Sequence, residues 1–219
     1  MNRLTTAVIL LFPAAYAGAQ EKPRPVKLTH AAVELLPVLR RGGGAQISPE
    51  YGWELSVRNL RISAFGFYVW RHSTGDFMRD TLTVSHAAVP FLGVGSEQGR
   101  GPLGGFYQVG AIWRGQETPG FRKAARPVFR YLETAWYYQL AGRYDPQDIV
   151  LNWGTQYLPL GRFEIYSEGF YRFHRRAGDY GQPQLLLRHR RLGRVSLGVE
   201  LEVAGGHVTP FLGLKVTMK

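Results

Sequence analysis

The sequence alternates apolar and polar residues over short segments, most regularly at Arg194–Ala204. One set of alternate positions in this segment is apolar, namely Val195, Leu197, Val199, Leu201 and Val203. The other set is charged, polar or glycine, namely Arg194, Ser196, Gly198, Glu200 and Glu202. Because successive side chains of a β-strand point to opposite faces, this period predicts a strand with one apolar and one polar face. Its length matches a tilted membrane-spanning strand of about 9–11 residues.

The same period recurs in segments that are separated by Gly, Pro, Asp or Asn. It is clear at Gly161–Arg176 and Val208–Met218, and less perfect at Arg61–His72. Weaker candidates are Lys27–Leu39, Gly52–Val57, Thr81–Val89, Phe106–Trp113, Phe129–Leu140, Ile149–Leu158 and Gln182–Arg190. Since bacterial single-chain barrels have an even number of strands, these eleven segments predict ten or twelve. Long loops are predicted at Val94–Gly105 and Gly115–Pro127.

Aromatic residues cluster at the ends of the predicted strands. The clusters are Tyr51 and Trp53; Phe67, Tyr68 and Trp70; and Trp136, Tyr137 and Tyr138. Tyr and Trp at strand ends are typical of membrane interfaces, and charges of both signs on the alternate positions suit a polar barrel interior. We therefore predict an all-β fold, a single antiparallel up-and-down transmembrane β-barrel. A soluble sandwich or lipocalin-like barrel has the same alternation with the two faces reversed, and is the alternative.

The N-terminus has the pattern of an export signal. Arg3 precedes the apolar stretch Leu4–Ala15, which is too short to span a bilayer, and small residues follow it. We predict cleavage after Ala19, with Ala17 as the second choice. The domains are then a signal peptide at 1–19, a short polar leader at 20–25 and the barrel at 26–219. Together with the strands, the signal predicts a bacterial outer-membrane location.

Composition narrows the possible partners. The formal net charge is +11 and cysteine is absent. The absence of cysteine excludes a disulfide scaffold, a cysteine-ligated metal and a cysteine nucleophile. Such a charge often indicates nucleic acid, but export argues against a nucleic-acid polymer as partner. The basic runs Arg40–Arg41, Arg175–Arg176 and Arg188–Arg191 lie at predicted strand ends. They would contact the phosphates of outer-membrane lipids and lipopolysaccharide, or periplasmic partners, or form solvated turns.

Motifs for catalysis are weak. Gly99–Gly104 fits G-x-G-x-x-G, but no strand-to-helix pattern surrounds it, so we expect a loop. Ser85 and His86 are adjacent and would point to opposite faces of a strand. Glu200 and Glu202 share a face and could act as a glycosidase pair, although charge balance against arginine is the preferred interpretation. The histidines lack metal-ligand spacing. We predict no enzyme activity, no cofactor and no metal.

The second half of the sequence resembles a known family. The segments are GRFEIYSEGFYRF from Gly161, YGQPQLLLRH from Tyr180, LGVELEV from Leu197 and TPFLGLKV from Thr209. Their order is similar to the last four strands of Tsx-like nucleoside-specific outer-membrane channels and their uncharacterised barrel relatives. Gly213–Met218 also fits the glycine-x-x-apolar-x-apolar ending of many outer-membrane barrels. The resemblance implies an outer-membrane channel, with nucleoside-like molecules among its solutes.

The polar face of the predicted strands would line the lumen. The predicted lumen-lining residues are Arg61, Arg71, Arg162, Glu164, Glu168, Arg172, Arg188, Arg194, Glu200, Glu202 and Lys215. Cations outnumber acids in this set, which predicts a preference for anions. We predict a narrow, porin-like channel for small polar or anionic solutes. The alternative is a plugged, non-conducting barrel with a structural or docking role. In either case, the barrel-assembly machinery would be a partner during insertion.

The signal peptide and the strands together predict where the protein is found. We expect the mature chain to fractionate with outer membranes and to change its gel mobility on heating, because a folded barrel resists detergent without heat. Recovery in the soluble periplasmic fraction without detergent would contradict the membrane assignment.

Overall fold

The structure is a computed structural model that describes residues 26–37, 45–71, 77–101, 104–142, 147–173, 178–204 and 206–218. The predicted signal peptide and leader lie outside the described residues. Within the described ranges, the strands are β1 (Lys27–Pro37), β2 (Ala45–Val57), β3 (Leu60–Arg71), β4 (Phe77–His86), β5 (Val89–Gly101), β6 (Gly104–Arg114), β7 (Phe129–Ala141), β8 (Gln147–Thr155), β9 (Leu158–Leu160), β10 (Phe163–Phe173), β11 (Tyr180–Gly181), β12 (Gln184–His189), β13 (Val195–Ala204) and β14 (His207–Thr217).

These strands form one closed antiparallel barrel. Strands that are neighbours in sequence pair along the wall, and β1 pairs with β14 to close it. The short strands β8 and β9 both pair with β10, so together they make one wall strand. Likewise, β11 and β12 both lie between β10 and β13. The wall therefore has twelve strands, which confirms the predicted all-β barrel of ten to twelve strands.

The apolar face of the strands is the outer surface of the barrel. On β13, Leu197 is 51% exposed, whereas the adjacent Ser196 is 2% exposed. On β14, Leu212 and Leu214 are exposed, whereas Lys215 is buried. On these two strands, Ser196 and Lys215 face the lumen, whereas the leucines face outward. This is the reverse of the lipocalin-like alternative, in which the apolar face would be enclosed.

The predicted loop at Val94–Gly105 is wrong, because most of it belongs to β5. The inward positions of β5 include Gly93, Gly95 and Gly99, so the strand lacks the contrast of apolar and polar side chains that marks the others. These glycines have a packing role. A Cβ atom at Gly95 would lie 2.6 Å from Cδ1 of Ile112, which fills that space from β6. The G-x-G-x-x-G motif falls in the β5–β6 hairpin, whose residues 102–103 lie outside the described residues.

The two ends of the barrel differ in their connections. At one end, which we call the turn end, the chain makes short turns at 58–59, 87–88, 161–162 and 190–194, and a longer connection at 115–128. The opposite end, called the loop end, carries the remaining connections. The 115–128 connection matches the predicted loop and contains a 3-10 helix (Gly115–Glu117) and a helix α1 (Phe121–Ala125). Neither of these described helices has the length or apolarity to cross a membrane.

The exposed apolar face predicts a depth-dependent effect of charge. Leu212 lies at the centre of β14, whereas Leu192 lies in the 190–194 turn, and both are exposed. In a lipid bilayer, Leu212→Arg should lower the free energy of unfolding by about 2–4 kcal/mol, because it places a charge at mid-membrane. The control Leu192→Arg should change it little, because the turn reaches water. Urea unfolding in lipid vesicles measures both, and equal small effects would contradict a lipid-facing wall.

Candidate functional site

The interior of the barrel contains a cavity of about 730 Å³, which we call the vestibule. Its lining begins at the turn end with Arg61, Gln116 and Arg194 and reaches Phe67 and Phe170 near mid-barrel. These residues come from the inward positions of many strands, since only alternate residues of each strand face the lumen. The vestibule is therefore a polar pocket that is confined to one part of the lumen.

Aromatic side chains from opposite walls meet near mid-barrel, at the inner limit of the vestibule. Phe67 on β3 and Phe170 on β10 have ring centroids 5.6 Å apart, and five wall strands lie between β3 and β10 in either direction around the barrel. Phe77 and Tyr180 extend this contact, with centroids 5.2 Å apart. Together with Val69, these five side chains are buried as one cluster. We call this cluster and the ionic network beside it the constriction.

The ionic half of the constriction is centred on Glu97, which is completely buried. Its carboxylate accepts a hydrogen bond of 2.8 Å from Nε of Arg79 and another from the guanidinium of Arg172. Arg172 also forms an ion pair of 3.0 Å with Asp148. The amide nitrogen of Gln108 donates to both Glu97 and Asp148 at 3.2 and 3.3 Å. These contacts join β5 to β8 and β10 across the lumen, so both parts of the constriction link separate walls.

A second ionic cluster surrounds Lys215 on β14. Its Nζ lies 2.7 Å from Glu34, 3.0 Å from Glu50 and 2.8 Å from Glu168. All four side chains line the vestibule. Glu168 also pairs with Arg130 at 2.8 Å. Since three carboxylates surround one ammonium group, this part of the wall is locally acidic.

The turn-end side of the vestibule is lined by stacked cations and tyrosines. The guanidinium carbon of Arg188 lies 3.6 Å from the ring centroid of Tyr157, and that of Arg130 lies 4.3 Å from the same centroid. Arg188 pairs with Glu164 at 2.7 Å. These contacts combine cation–π attraction with charge pairing, so they hold both arginines against the wall.

The predicted lumen-lining residues have different positions in the structure. Arg61, Glu168, Arg188, Arg194 and Lys215 line the vestibule. Arg172 is buried in the constriction, and Glu200 is buried against Gln184, whose amide nitrogen lies 2.6 Å away. The structure brings together Glu164 with Arg188 and Glu168 with Lys215.

Glu202 and Arg162 do not line the vestibule. Glu202 is half-buried near the loop end of β13. Arg162 is exposed in the 161–162 turn. The predicted strand began at Gly161, whereas β10 begins at Phe163, so Arg162 precedes the strand. The side chain of Arg71 lies outside the described residues.

Several lumenal acids were not predicted from the sequence. They are Glu34, Glu50, Glu54, Glu97, Glu133 and Asp148. Glu97 was missed because its strand was interpreted as a loop, and the others lie on strands whose alternation is weak. Their positions change the charge balance, because Arg61 pairs with Glu54 and Glu117, and Arg114 pairs with Glu133. Pairing thus offsets the predicted excess of lumenal cations.

Among the described residues, nine of the ten exposed cations lie instead around the turn end, and the tenth, Arg100, lies at the loop end of β5. This cationic rim consists of Lys27, Arg58, Arg122, Lys123, Arg126, Arg162, Arg190, Arg191 and Arg194. In the described turns at this end, the acidic residue is Glu117, which lies 2.6 Å from Arg61. The mouth of the vestibule is therefore surrounded by exposed positive charge.

The described residues give no indication of a metal centre. No group of three or more His, Asp or Glu among them is placed to hold a metal ion. The carboxylates of the vestibule are instead bound by Lys215, arginine and His30, which lies 2.6 Å from Glu50.

Comparison with protein-family models and with curated proteins finds no match. Among solved structures, the chain is similar to mutants of the porin of Rhodopseudomonas blastica. For one tryptophan mutant, identity is 10%, the TM-score is 0.37, and the match covers 78% of this chain and 55% of that chain. For a lysine mutant, identity is 8%, the TM-score is 0.38, and the coverages are 89% and 100%. This chain thus spans about half the length of the first porin chain. The comparisons do not confirm the resemblance to Tsx-like channels.

The buried ionic network predicts unequal costs for removing acids. Glu97→Ala should lower the free energy of unfolding by about 3–5 kcal/mol, because it leaves Arg79 and Arg172 buried without their shared carboxylate. Glu164→Ala should cost about 0–1 kcal/mol, because Glu164 and Arg188 both reach solvent. Urea unfolding of the refolded barrels measures the difference. Equal costs would mean that the network around Glu97 is not closed to water.

Proposed function

We propose that this protein is a bacterial outer-membrane barrel whose lumen forms a narrow, gated channel for small polar or anionic solutes. The observation that carries the proposal is the division of the lumen into an open vestibule and a closed constriction. An accessible vestibule occupies its turn-end part, and side chains alone close the constriction beside it. A twelve-strand barrel leaves room for a thin pore when such side chains move apart.

The outer surface supports the membrane location. Large apolar side chains are exposed over the wall, including Leu185, Leu197, Leu212 and Val94. A closed barrel satisfies its backbone hydrogen bonds within the wall, so this surface can contact lipid. Trp70, Tyr138 and Phe173 are exposed near the loop end, which suits a membrane interface.

We infer an orientation from the connections. Outer-membrane barrels have short periplasmic turns, and every turn-end connection except 115–128 has five residues or fewer, so we place the turn end in the periplasm. The loop end would then face lipopolysaccharide, and the cationic rim would lie near the inner-leaflet lipids. The barrel-assembly machinery would insert the chain in this orientation after removal of the signal peptide.

The preference for anions would come from the cationic rim more than from the lumen wall. The lumenal cations are paired, whereas the rim residues are exposed and surround the vestibule mouth. An excess of one charge around a low-dielectric opening attracts ions of the opposite sign. Because these charges are exposed, added salt should weaken the attraction.

Two further possibilities follow from specific observations. The resemblance to Tsx-like channels makes nucleosides one class of solute to test. The contact between Phe67 and Phe170 across the barrel favours the second candidate, a plugged barrel with a structural or docking role.

Planar-bilayer recording tests the gated channel. We expect the wild-type barrel to open rarely and with small conductance. Replacing both constriction rings, with Phe67→Ala and Phe170→Ala in one chain, should raise the conductance and the open fraction. The matched control combines Phe163→Ala and Phe173→Ala, which remove exposed rings from β10 without touching the cluster.

Reversal potentials in a KCl gradient measure the charge preference of the same channels. We expect chloride to be preferred, and we expect a weaker preference after Arg190, Arg191 and Arg194 are replaced by Gln. If the wild type and the constriction variant are both folded and both silent, the plugged barrel is the correct function. A current reduced by adenosine would support nucleoside-like solutes.

A further inference from the structure

Arg114, at the turn end of β6, is a buried arginine with weak partners. Its Nη1 lies 3.5 Å from Oγ of Ser85 and 3.4 Å from the carbonyl oxygen of Pro90, and its Nη2 lies 3.3 Å from Oγ of Ser63. Its Nε lies 3.3 Å from the carboxylate of Glu133. All four distances are at the long end of the range for hydrogen bonds.

Arg61, Arg130 and Arg188, which also line the vestibule, make shorter ion pairs. Arg130 makes contacts of 2.5 to 2.8 Å with Tyr157, Glu168 and the Thr155 carbonyl. By contrast, the hydrogen bonds that the two terminal nitrogens of Arg114 donate within the described part of the chain end on neutral oxygen atoms, and its ion pair with Glu133 is made through Nε. A guanidinium presents paired N–H groups that match a carboxylate, so a carboxylate in the vestibule would compete well for Arg114.

The position of Arg114 is made possible by the neighbouring strands. Its hydroxyl partners lie on β3 and β4, and β5 runs between β4 and β6. The inward residue of β5 that pairs with Ser85 is Gly93, which has no side chain. Arg114 can therefore extend along the wall and still line the vestibule.

An exposed ring lies beside the same serine. Phe65 is two residues from Ser63 on β3, so the two side chains share the inward face about 7 Å apart along the strand. Phe65 lines the vestibule and is 40% exposed, whereas Phe67, the next inward residue, is 7% exposed. An apolar ring that faces a polar cavity provides a surface on which a flat ligand can stack.

We propose that the vestibule binds small aromatic monocarboxylates. The carboxylate accepts hydrogen bonds from the terminal nitrogens of Arg114 and from Ser63, and the aromatic ring stacks on Phe65. A single charge is favoured because Glu133 already offsets part of the positive charge of Arg114, so the site has little attraction left for a second carboxylate. The cationic rim raises the concentration of such anions at the vestibule mouth. This inference rests on the proposed function, since it names the solute class that the channel admits.

Titration calorimetry of the refolded full-length protein in neutral detergent tests the site with benzoate as the probe. We expect benzoate to bind more tightly than acetate, because acetate has no ring to stack. Phe65→Ala should weaken benzoate binding about three- to tenfold and leave acetate unchanged. Arg114→Gln should weaken the binding of both anions about tenfold or more.

Matched variants separate the site from general effects. Phe173→Ala removes an exposed ring from the outer surface, and Arg188→Gln removes a vestibule cation that pairs with Glu164, so both should retain benzoate binding. Heat-dependent gel mobility confirms that each variant is folded. Phthalate, which carries two carboxylates, should bind more weakly than benzoate.

Three results would overturn the inference. The first is that benzoate binds no more tightly than acetate. The second is that Phe65→Ala and Phe173→Ala weaken benzoate binding equally. The third is that folded Arg114→Gln binds benzoate as tightly as the wild type. Calorimetry does not require conduction, so a silent barrel that binds benzoate would reject the channel and retain the site. A conducting barrel that does not bind benzoate would retain the channel and reject the site.

Discussion

The pairing of β1 with β14 is the contact on which the rest of the structure depends. It joins Ala32–Leu35 to Leu214–Thr217 in antiparallel register and converts a twelve-strand sheet into a closed wall. Closure joins the two edge strands of the sheet, so the backbone groups that pair between them require no other partner. It also gives every strand an inner and an outer face. Lys215 can be buried among carboxylates while Leu214, its neighbour in sequence, remains exposed.

The lumen that results is wider than the side chains of one wall can fill. Where aromatic and ionic side chains project from opposing strands, they meet and form the constriction, as Phe67 and Phe170 do. Where side chains are shorter or held against the wall, the vestibule remains. Glycine contributes to the packed part of the lumen, since Gly95 leaves the space that the side chain of Ile112 fills. The boundary between the two regions therefore depends on how far the side chains extend across a lumen whose width is fixed by the twelve strands.

The cations of this basic chain serve two different purposes. Those inside the barrel, such as Arg79 and Arg172 around Glu97, are paired with carboxylates and connect separate strands across the lumen. Burial without such partners would cost several kilocalories per mole, so their pairing is a condition of folding. Those at the turn end are exposed to solvent and are available to attract anions. Arg114 is intermediate, because it is buried but has long contacts with neutral oxygen atoms.

The fold class and the faces of the regular strands could be predicted from the amino-acid sequence, whereas its eleven segments left ten and twelve strands both open. Period two depends only on the geometry of a single strand, so Leu197 and Ser196 could be assigned to opposite faces without knowledge of their neighbours. It missed β5, whose inward glycines gain their meaning from Ile112 on the next strand. Only the tertiary structure decided which charges pair and where the lumen closes. Glu97 with Arg172 and Phe67 with Phe170 are far apart in sequence, and only barrel closure brings them within contact distance.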